Sequence, residues 1–176
     1  GINTGRLGFI SSVSAGQIDD AVNDILKGNY QINERTLLSL DTDKKLFKDK
    51  NFALNEVAVS KKDTSSMIRI DAYVDDEFLN TYWADGLVVS TPTGSTGYSL
   101  SCGGPIIMPG TNNIIITPNA PHNLNVRPIV IDDDSVVKLK VEDRDQLALV
   151  SLDSRSRAFD SDTELIIKKA DFKIKL

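Results

Sequence analysis

The 176-residue sequence has little of what several classes of functional site require. Cys102 is the only cysteine and His122 the only histidine, so no internal disulfide can form and no Cys/His cluster is available for zinc. A lone cysteine indicates a reducing cytoplasm, and we predict a structural role in a loop for His122. Apolar runs of only a few residues predict no membrane-spanning helix and no membrane partner. The net charge of −5 argues against nucleic-acid binding, which needs clustered Lys and Arg.

One helix is predicted close to the start of the sequence. Ser14 and Gln17 have the three-residue spacing of a capping box, and Gly28 is placed to end the helix. Apolar residues recur between them at helical period: Ile18, Val22, Ile25 and Leu26. A second, short helix is predicted over residues 95–101, after the TPTGST loop. These are the two helices that the sequence predicts.

Most of the remaining sequence consists of short β-rich segments separated by polar turns. This pattern predicts a mainly β, layered, β-sandwich-like domain. Tyr82 and Trp83, in one of the predicted strands, are expected to be packing residues. The glycine-rich start begins in mid-pattern, so we predict that residues 1–12 end a preceding domain and that residues 13–176 form the β-rich domain. The predicted strands are 31–40, 52–60, 67–74, 77–83, 87–90, 113–117, 128–131, 136–141, 147–152, 164–168 and 172–176.

The most informative segment, residues 85–104, reads DGLVVSTPTGSTGYSLSCGG. An apolar strand runs into a block of glycines and hydroxyl residues, in which Gly94 lets the backbone approach a ligand closely. Such a junction can hold a nucleotide through hydroxyls and backbone groups. It lacks the lysine of a P-loop and the G-x-S-x-G of a hydrolase. The alternative is a turn followed by a helix cap, which favours the same residue types.

This segment resembles the signature of the NAD kinases, in which an Asp-Gly pair and a short strand precede S-T-P-T-G-S-T-A-Y and a Gly-Gly pair. Three further segments match the family in its order: GRLGF at 5–9, LNEV at 54–57 and PHNLNVRPIV at 121–130. Gly97 stands where the family has Ala, and Trp83 where many members have Arg. The family's G-G-D-G-T motif is absent from this sequence. The resemblance therefore implies the C-terminal β-rich NAD-binding domain, normally paired with an upstream α/β domain that carries that motif.

The resemblance implies that the full-length protein phosphorylates the adenosine 2′-hydroxyl of NAD with ATP to give NADP. Mg²⁺ or another divalent cation would accompany ATP, because phosphoryl transfer needs its charge neutralised. It also implies a homodimer or homotetramer, in which a neighbouring subunit completes part of the pocket. Two alternatives stay open: a non-catalytic dinucleotide-binding or assembly module, and a lipid kinase-like domain acting on diacylglycerol or a sphingoid base. The isolated chain is expected to be inactive, because the general base belongs to the upstream region.

The resemblance also implies individual site residues. Asn55 would recognise the adenine edge, since an amide presents a donor and an acceptor side by side, and Glu56 would accept hydrogen bonds from ribose hydroxyls. Asp85 and Ala120 would contact the nicotinamide side, and Asp153 would act in catalysis near the reacting ribose. Each is also compatible with an ordinary strand end or turn. The predicted pocket wall consists of Thr93, Thr96, Gly97, Tyr98 and Ser101.

Overall fold

The computed structural model describes residues 2–3, 11, 13–62, 67–123, 125–142 and 147–176. The GRLGF segment lies outside the described residues, as does most of the predicted domain end at residues 1–12. The chain divides into two compact units, Gly1–Glu34 with Ile174–Leu176, and Arg35–Lys173. No described helix is long and apolar enough to cross a lipid bilayer.

The first unit contains the predicted N-terminal helix. Strand β1 (Ile2–Asn3) pairs in parallel with β2 (Val13–Ser14), and a 3₁₀ turn then leads into α1 (Ile18–Lys27). The backbone N–H and the hydroxyl of Ser14 both donate to Oε1 of Gln17, at 3.2 and 2.9 Å. Gly28 ends the helix in the left-handed conformation, with φ of 75°. Capping and termination thus follow the prediction, while the apolar stripe of the helix is exposed in the structure.

The second unit carries two six-stranded antiparallel sheets, which we call sheet one and sheet two. Sheet one consists of β5 (Glu56–Lys61), β8 (Gly86–Ser90), β9 (Asn113–Asn119), β10 (Ile129–Asp132), β12 (Leu147–Leu152) and β13 (Arg155–Asp160). Sheet two consists of β3 (Glu34–Asp41), β4 (Phe52–Ala53), β6 (Ile68–Val74), β7 (Glu77–Ala84), β11 (Val137–Glu142) and β14 (Leu165–Lys175). The order is β10-β9-β8-β5-β12-β13 in sheet one and β4-β3-β14-β11-β6-β7 in sheet two.

The inward faces of the two sheets share one hydrophobic core. Val57 and Leu87 of sheet one and Ile70 and Leu139 of sheet two are among its fully buried side chains. Burying a side chain of this size contributes roughly 1.5–3 kcal/mol relative to leaving it in water. Strand β8 is central in sheet one and buried at every position. The predicted mainly β, layered fold is therefore confirmed, and its fully buried strand β8 leads directly into the glycine- and hydroxyl-rich segment.

The strand boundaries depart from the prediction in three places. The predicted strand 52–60 is interrupted by a bend at Leu54 and Asn55, while the strands predicted at 164–168 and 172–176 are one continuous strand, β14. Strand β13 was not predicted, because its sequence RSRAFD buries only Phe159 and shows no apolar alternation. The bend matters most for function, since it separates β4 from β5 at the predicted adenosine-binding pair.

The prediction that Tyr82 and Trp83 both pack in the core is half right. Successive side chains of a strand point to opposite faces. Tyr82 is 1% exposed and belongs to the core, whereas Trp83 is 51% exposed on the other face of β7. The indole of Trp83 is therefore a surface group.

Candidate functional site

The segment after β8 folds back onto the bend between β4 and β5. It forms a 3₁₀ turn at Gly94–Thr96 and the helix α2 (Tyr98–Ser101), which agrees with the predicted short helix. The hydroxyl of Thr91 donates to the carbonyl of Leu54 at 2.7 Å and accepts the N–H of Gly94 at 3.1 Å. The N–H of Thr91 donates to the carbonyl of Asn55 at 2.9 Å. Thr91, buried and absent from the predicted site, thereby joins the segment to the adenosine-binding pair.

Two glycines of the segment have different surroundings. A Cβ at Gly94 would lie 2.1 Å from the carbonyl oxygen of Asn55, which no side chain can tolerate. The close neighbour of Gly94 is thus the protein's own backbone at Asn55, rather than a ligand as the sequence suggested. A Cβ at Gly97 would lie 3.3 Å from the carbonyl of Gly94 and 3.5 Å from Oε2 of Glu56, so a methyl group needs only a small adjustment.

The hydroxyl groups of the segment divide into internal and accessible ones. Ser95 is buried, and its hydroxyl lies 2.7 Å from the carbonyl of Pro92 and accepts the N–H of Ile107 at 3.0 Å. Ser99 is buried too, 2.9 Å from the hydroxyl of Thr117. These groups hold the segment in place. The residues predicted for the pocket wall are more exposed than these two serines. Thr93 and Thr96 are half-buried, and Gly97, Tyr98 and Ser101 are exposed.

The bend at Leu54 and Asn55 is held by Asp153, which follows β12. Oδ2 of Asp153 accepts the N–H of Leu54 at 3.0 Å, and Oδ1 accepts those of Asn55 at 2.8 Å and Glu56 at 3.3 Å. The N–H of Asp153 donates to the carbonyl of Glu56 at 3.0 Å. Asp153 has a φ of 51°, which turns its carboxylate back toward the neighbouring strand. The structure therefore brings Asp153 together with the predicted adenosine-binding pair, through backbone contacts.

The carboxylate of Glu56 is the most perturbed acid of the site. Its Oε2 is buried and has no hydrogen-bond partner in the structure. Burial, followed by the nearby charge of Asp153, raises the pKa of Glu56 to about 7, while the backbone amide of Tyr98 acts in the opposite direction. A buried carboxylate oxygen without a donor is costly, because its lost hydration is not replaced. Such groups concentrate at functional sites, where a ligand supplies the missing donor.

The residues predicted for the nicotinamide side lie at the other end of β8. The N–H of Asp85 donates to the carbonyl of Asn119 at 3.0 Å, and its carboxylate pairs with Nζ of Lys61 at 2.7 Å. Ala120 follows Asn119 with a φ of 47°. Because β8 has five residues, this end lies ~17 Å from the Thr91 end.

Tyr98 connects the two ends of the site. Its phenol oxygen accepts the side-chain N–H of Asn119 at 2.8 Å, while its backbone lies beside Glu56. The pKa of Tyr98 is raised by burial first and then by Cys102, with smaller contributions from Asp85 and Glu56. The phenol ring is 40% exposed, so it offers a flat surface between the two clusters. The predicted residues thus form one elongated surface along β8 and α2 in a single chain.

Four residues in or beneath this surface lay outside the predicted set: Thr91, Asn119, Cys102 and Trp83. Thr91 and Asn119 are hydrogen-bond partners whose role appears only once the strands pair. Cys102 lies near Glu56, and its pKa is raised by burial first and by Glu56 second. The exposed Trp83 precedes Asp85 by two residues in the sequence, and its carbonyl accepts the N–H of His122 at 2.8 Å. The position of Trp83 beside the Asp85-Gly86 pair was the sequence signal that could have included it in the predicted site.

Among the described residues, neither a metal-binding cluster nor the cavity after β3 involves the predicted site residues. No group of three or more His, Cys, Asp or Glu side chains that could hold a metal ion occurs among the described residues. A cavity of about 340 Å³ lies beside the loop after β3, where Phe47, Lys45 and Lys48 are among its lining residues. None of the predicted site residues lines that cavity.

Comparison with known proteins identifies the family. A family model described as the ATP-NAD kinase C-terminal domain matches residues 54–176. The NAD kinase of Cytophaga hutchinsonii is 55% identical over 176 residues, which is all of this chain and 60% of that protein. The chain thus spans about 60% of the length of this curated relative.

Two solved structures of similar fold agree with this assignment. Yeast NADH kinase complexed with NADH has a TM-score of 0.89 and 26% identity, covering 99% of this chain and 52% of that one. An NAD kinase from Archaeoglobus fulgidus in complex with ATP has a TM-score of 0.87 and 28% identity, covering 100% of this chain and 66% of that one. The chain belongs to the ATP-NAD kinase family and carries the C-terminal domain of that family.

Proposed function

We propose that the full-length protein is an NAD kinase and that this chain supplies the NAD-binding half of its active site. Residues 13–176 would form the NAD-binding domain and residues 1–12 the end of an upstream α/β domain, in a cytoplasmic enzyme. The observation that carries the proposal is the buried, unpartnered Oε2 of Glu56 beside a backbone held in place by Asp153. The relatives named above support the dinucleotide as ligand, since their names specify NAD and NADH.

Asn55 and Glu56 would bind the adenosine of NAD. The Asn55 amide can donate to an adenine ring nitrogen and accept from the exocyclic amine. A ribose hydroxyl donating to Oε2 of Glu56 would satisfy the buried carboxylate, and this hydrogen bond favours its ionised form. NAD binding would therefore lower the pKa of Glu56 from about 7 and release a proton at neutral pH.

The rest of the dinucleotide would extend along β8 and α2. Thr93, Thr96, Gly97, Tyr98 and Ser101 would form the pocket wall, with Asp85 and Ala120 at the nicotinamide side. The five residues of β8 place its two ends ~17 Å apart along the backbone, which suits an extended ligand. A homodimer or homotetramer would complete the pocket with residues from a neighbouring subunit.

The phosphate donor would bind mainly outside this chain. Among the described residues, no group of three or more His, Cys, Asp or Glu side chains could hold a divalent cation by itself. Mg²⁺ or another divalent cation would enter as the ATP complex, a co-substrate, with the general base supplied by the upstream domain. What this chain contributes is placement of the acceptor 2′-hydroxyl, and placement is a large part of catalysis in phosphoryl transfer.

The test is a phosphorylation assay of the full-length protein with Mg-ATP. NADP formation from NAD, without phosphorylation of sphingosine or diacylglycerol, is the expected result. Phosphorylation of a lipid instead would favour the lipid kinase alternative. NAD binding without phosphorylation would favour the non-catalytic dinucleotide-binding module.

A further inference from the structure

Asp153 and Asp75 make the same backbone arrangement at two different places. Each follows the last residue of a strand and has a φ of 51°. Asp153 donates its N–H to the carbonyl of Glu56, the first residue of β5, at 3.0 Å, and Asp75 donates to the carbonyl of Val136, just before β11, at 2.9 Å. Each carboxylate accepts the N–H of that same partner, at 3.3 Å for Asp153 and 2.8 Å for Asp75. In this shared arrangement, which closes the end of a strand pairing, the carboxylate accepts only one backbone amide.

Asp153 does more than this shared arrangement requires. It accepts two further amides, those of Leu54 and Asn55, and so spans the whole bend between β4 and β5. A carboxylate has about four acceptor positions, and three of those of Asp153 are directed at backbone amides. A general base instead needs its lone pair within hydrogen-bond reach of the substrate proton. The side chain of Asp153 is therefore committed to the backbone of the site.

We propose that Asp153 is a positioning residue, whose carboxylate fixes the Leu54–Glu56 backbone and thereby aims the side chains of Asn55 and Glu56 at the adenosine. This inference rests on the proposed function and replaces a direct catalytic role for Asp153. Thr91 holds the same bend from the opposite side through the carbonyls of Leu54 and Asn55. Amides and carbonyls of the bend are thus both engaged, and the side chains alone stay available for ligand.

The experiment compares Asp153→Asn and Asp153→Ala with Asp75→Asn in the full-length protein. Asp75→Asn is the matched control, because it perturbs the same left-handed arrangement in sheet two, away from the site. The readouts are the NAD KM and kcat, the melting temperature, and hydrogen exchange of the Leu54, Asn55 and Glu56 amides. Asp153→Asn keeps one acceptor oxygen and guards against a variant that fails to fold.

We expect both Asp153 variants to raise the NAD KM about 10–100-fold, as loss of ligand hydrogen bonds would, with kcat changed only a few-fold. Exchange of the three amides should accelerate about tenfold or more, whereas Asp75→Asn should leave these amides and the NAD KM unchanged. A kcat loss of about 10²–10⁴-fold with unchanged KM would mean a catalytic base and overturn the proposal. A lowered melting temperature with unchanged KM would mean a structural role alone and would also overturn it.

A pH profile tests whether the Asp153 carboxylate lies beside Glu56, as the proposed positioning requires. The titratable groups around Glu56 are Asp153, after β12, and Tyr98 and Cys102 in and after α2. The NAD KM should rise when the pH falls below the pKa of Glu56. Removing the Asp153 charge should move this rise to a lower pH, because that charge opposes ionisation of Glu56. An unshifted profile would contradict the proposal. If the wild-type protein forms no NADP, the proposed function fails, while amide exchange and calorimetric NAD binding still test the positioning role.

Discussion

Replacing Glu56 by Gln should stabilise the protein at alkaline pH. The folded protein binds the Glu56 proton more tightly than the unfolded chain does, since the pKa is raised from 4.5 to about 7, mainly by burial. The stabilisation from the protonated carboxyl is therefore fully present below pH 4.5 and is lost as the pH rises toward 7. Glutamine has the same shape and no charge, so it should remove this loss.

The size of the effect follows from the two pKa values. Each tenfold change in proton affinity is worth ~1.4 kcal/mol, so the difference between 4.5 and about 7 corresponds to an upper limit of ~3–4 kcal/mol. Glu56 keeps partial exposure, and water screens part of this penalty. We therefore expect Glu56→Gln to raise the free energy of unfolding by ~1–2 kcal/mol at about pH 8, with little change at about pH 4.5.

Denaturant unfolding at a series of pH values measures this difference. The wild-type stability should fall between pH 4.5 and 7, and Glu56→Gln should flatten that fall. Glu77→Gln, on an exposed position of β7, is the control for removing a surface carboxylate and should keep the wild-type slope. Equal pH dependence of wild type and Glu56→Gln would refute the claim that the Glu56 carboxylate is buried without a donor in the free protein.

Three further predictions concern the same site. Asn55→Ala should raise the NAD KM by about one to two orders of magnitude at unchanged melting temperature, because losing a hydrogen bond to a desolvated partner costs ~1–3 kcal/mol. Asn55→Asp should raise the NAD KM further, since a carboxylate cannot donate a hydrogen bond to the adenine ring. Steady-state kinetics and melting curves on the same samples separate this binding role from a structural one. Gly94→Ala should cost ~1–3 kcal/mol or more of stability by overpacking against Asn55, whereas Gly97→Ala should be nearly neutral. Equal melting temperatures for the two variants would contradict the close contact between Gly94 and the Asn55 backbone. Residues 1–176 alone should form no NADP above background in the phosphorylation assay, since a positioned base is commonly worth ~10²–10⁴-fold in rate, and robust turnover would show that the upstream domain is dispensable.

Local sequence signals predicted the elements that local physics determines. The capping pair Ser14 and Gln17 and the terminating Gly28 defined α1 within a few residues, because these contacts join neighbours in the chain. The apolar run at 87–90 likewise predicted a strand, which the structure shows as the buried β8. The family resemblance, carried by four motifs, indicated which polar residues to consider around that strand.

The organisation of the site depends on contacts that the sequence does not reveal. Asp153 lies 97–99 residues from the amides it accepts, and Thr91 lies 37 residues from the Leu54 carbonyl. An Asp at a strand end is common, and only strand pairing shows that this one spans a bend. The exposure of Trp83 depended in the same way on which face of β7 turned inward. The role of Gly94 was also ambiguous from the sequence, because a glycine permits close approach of either a ligand or the protein's own backbone. In the structure the close neighbour is the backbone of Asn55.

Whether Asn55 and Glu56 bind the adenosine is tested most directly by a crystal structure of the full-length protein with NAD bound. We expect the adenine edge to lie within hydrogen-bond distance of the Asn55 amide, roughly 3 Å, and a ribose hydroxyl to donate to Oε2 of Glu56. Adenosine bound elsewhere, for example in the cavity beside Phe47, with Oε2 of Glu56 still unpartnered, would contradict it.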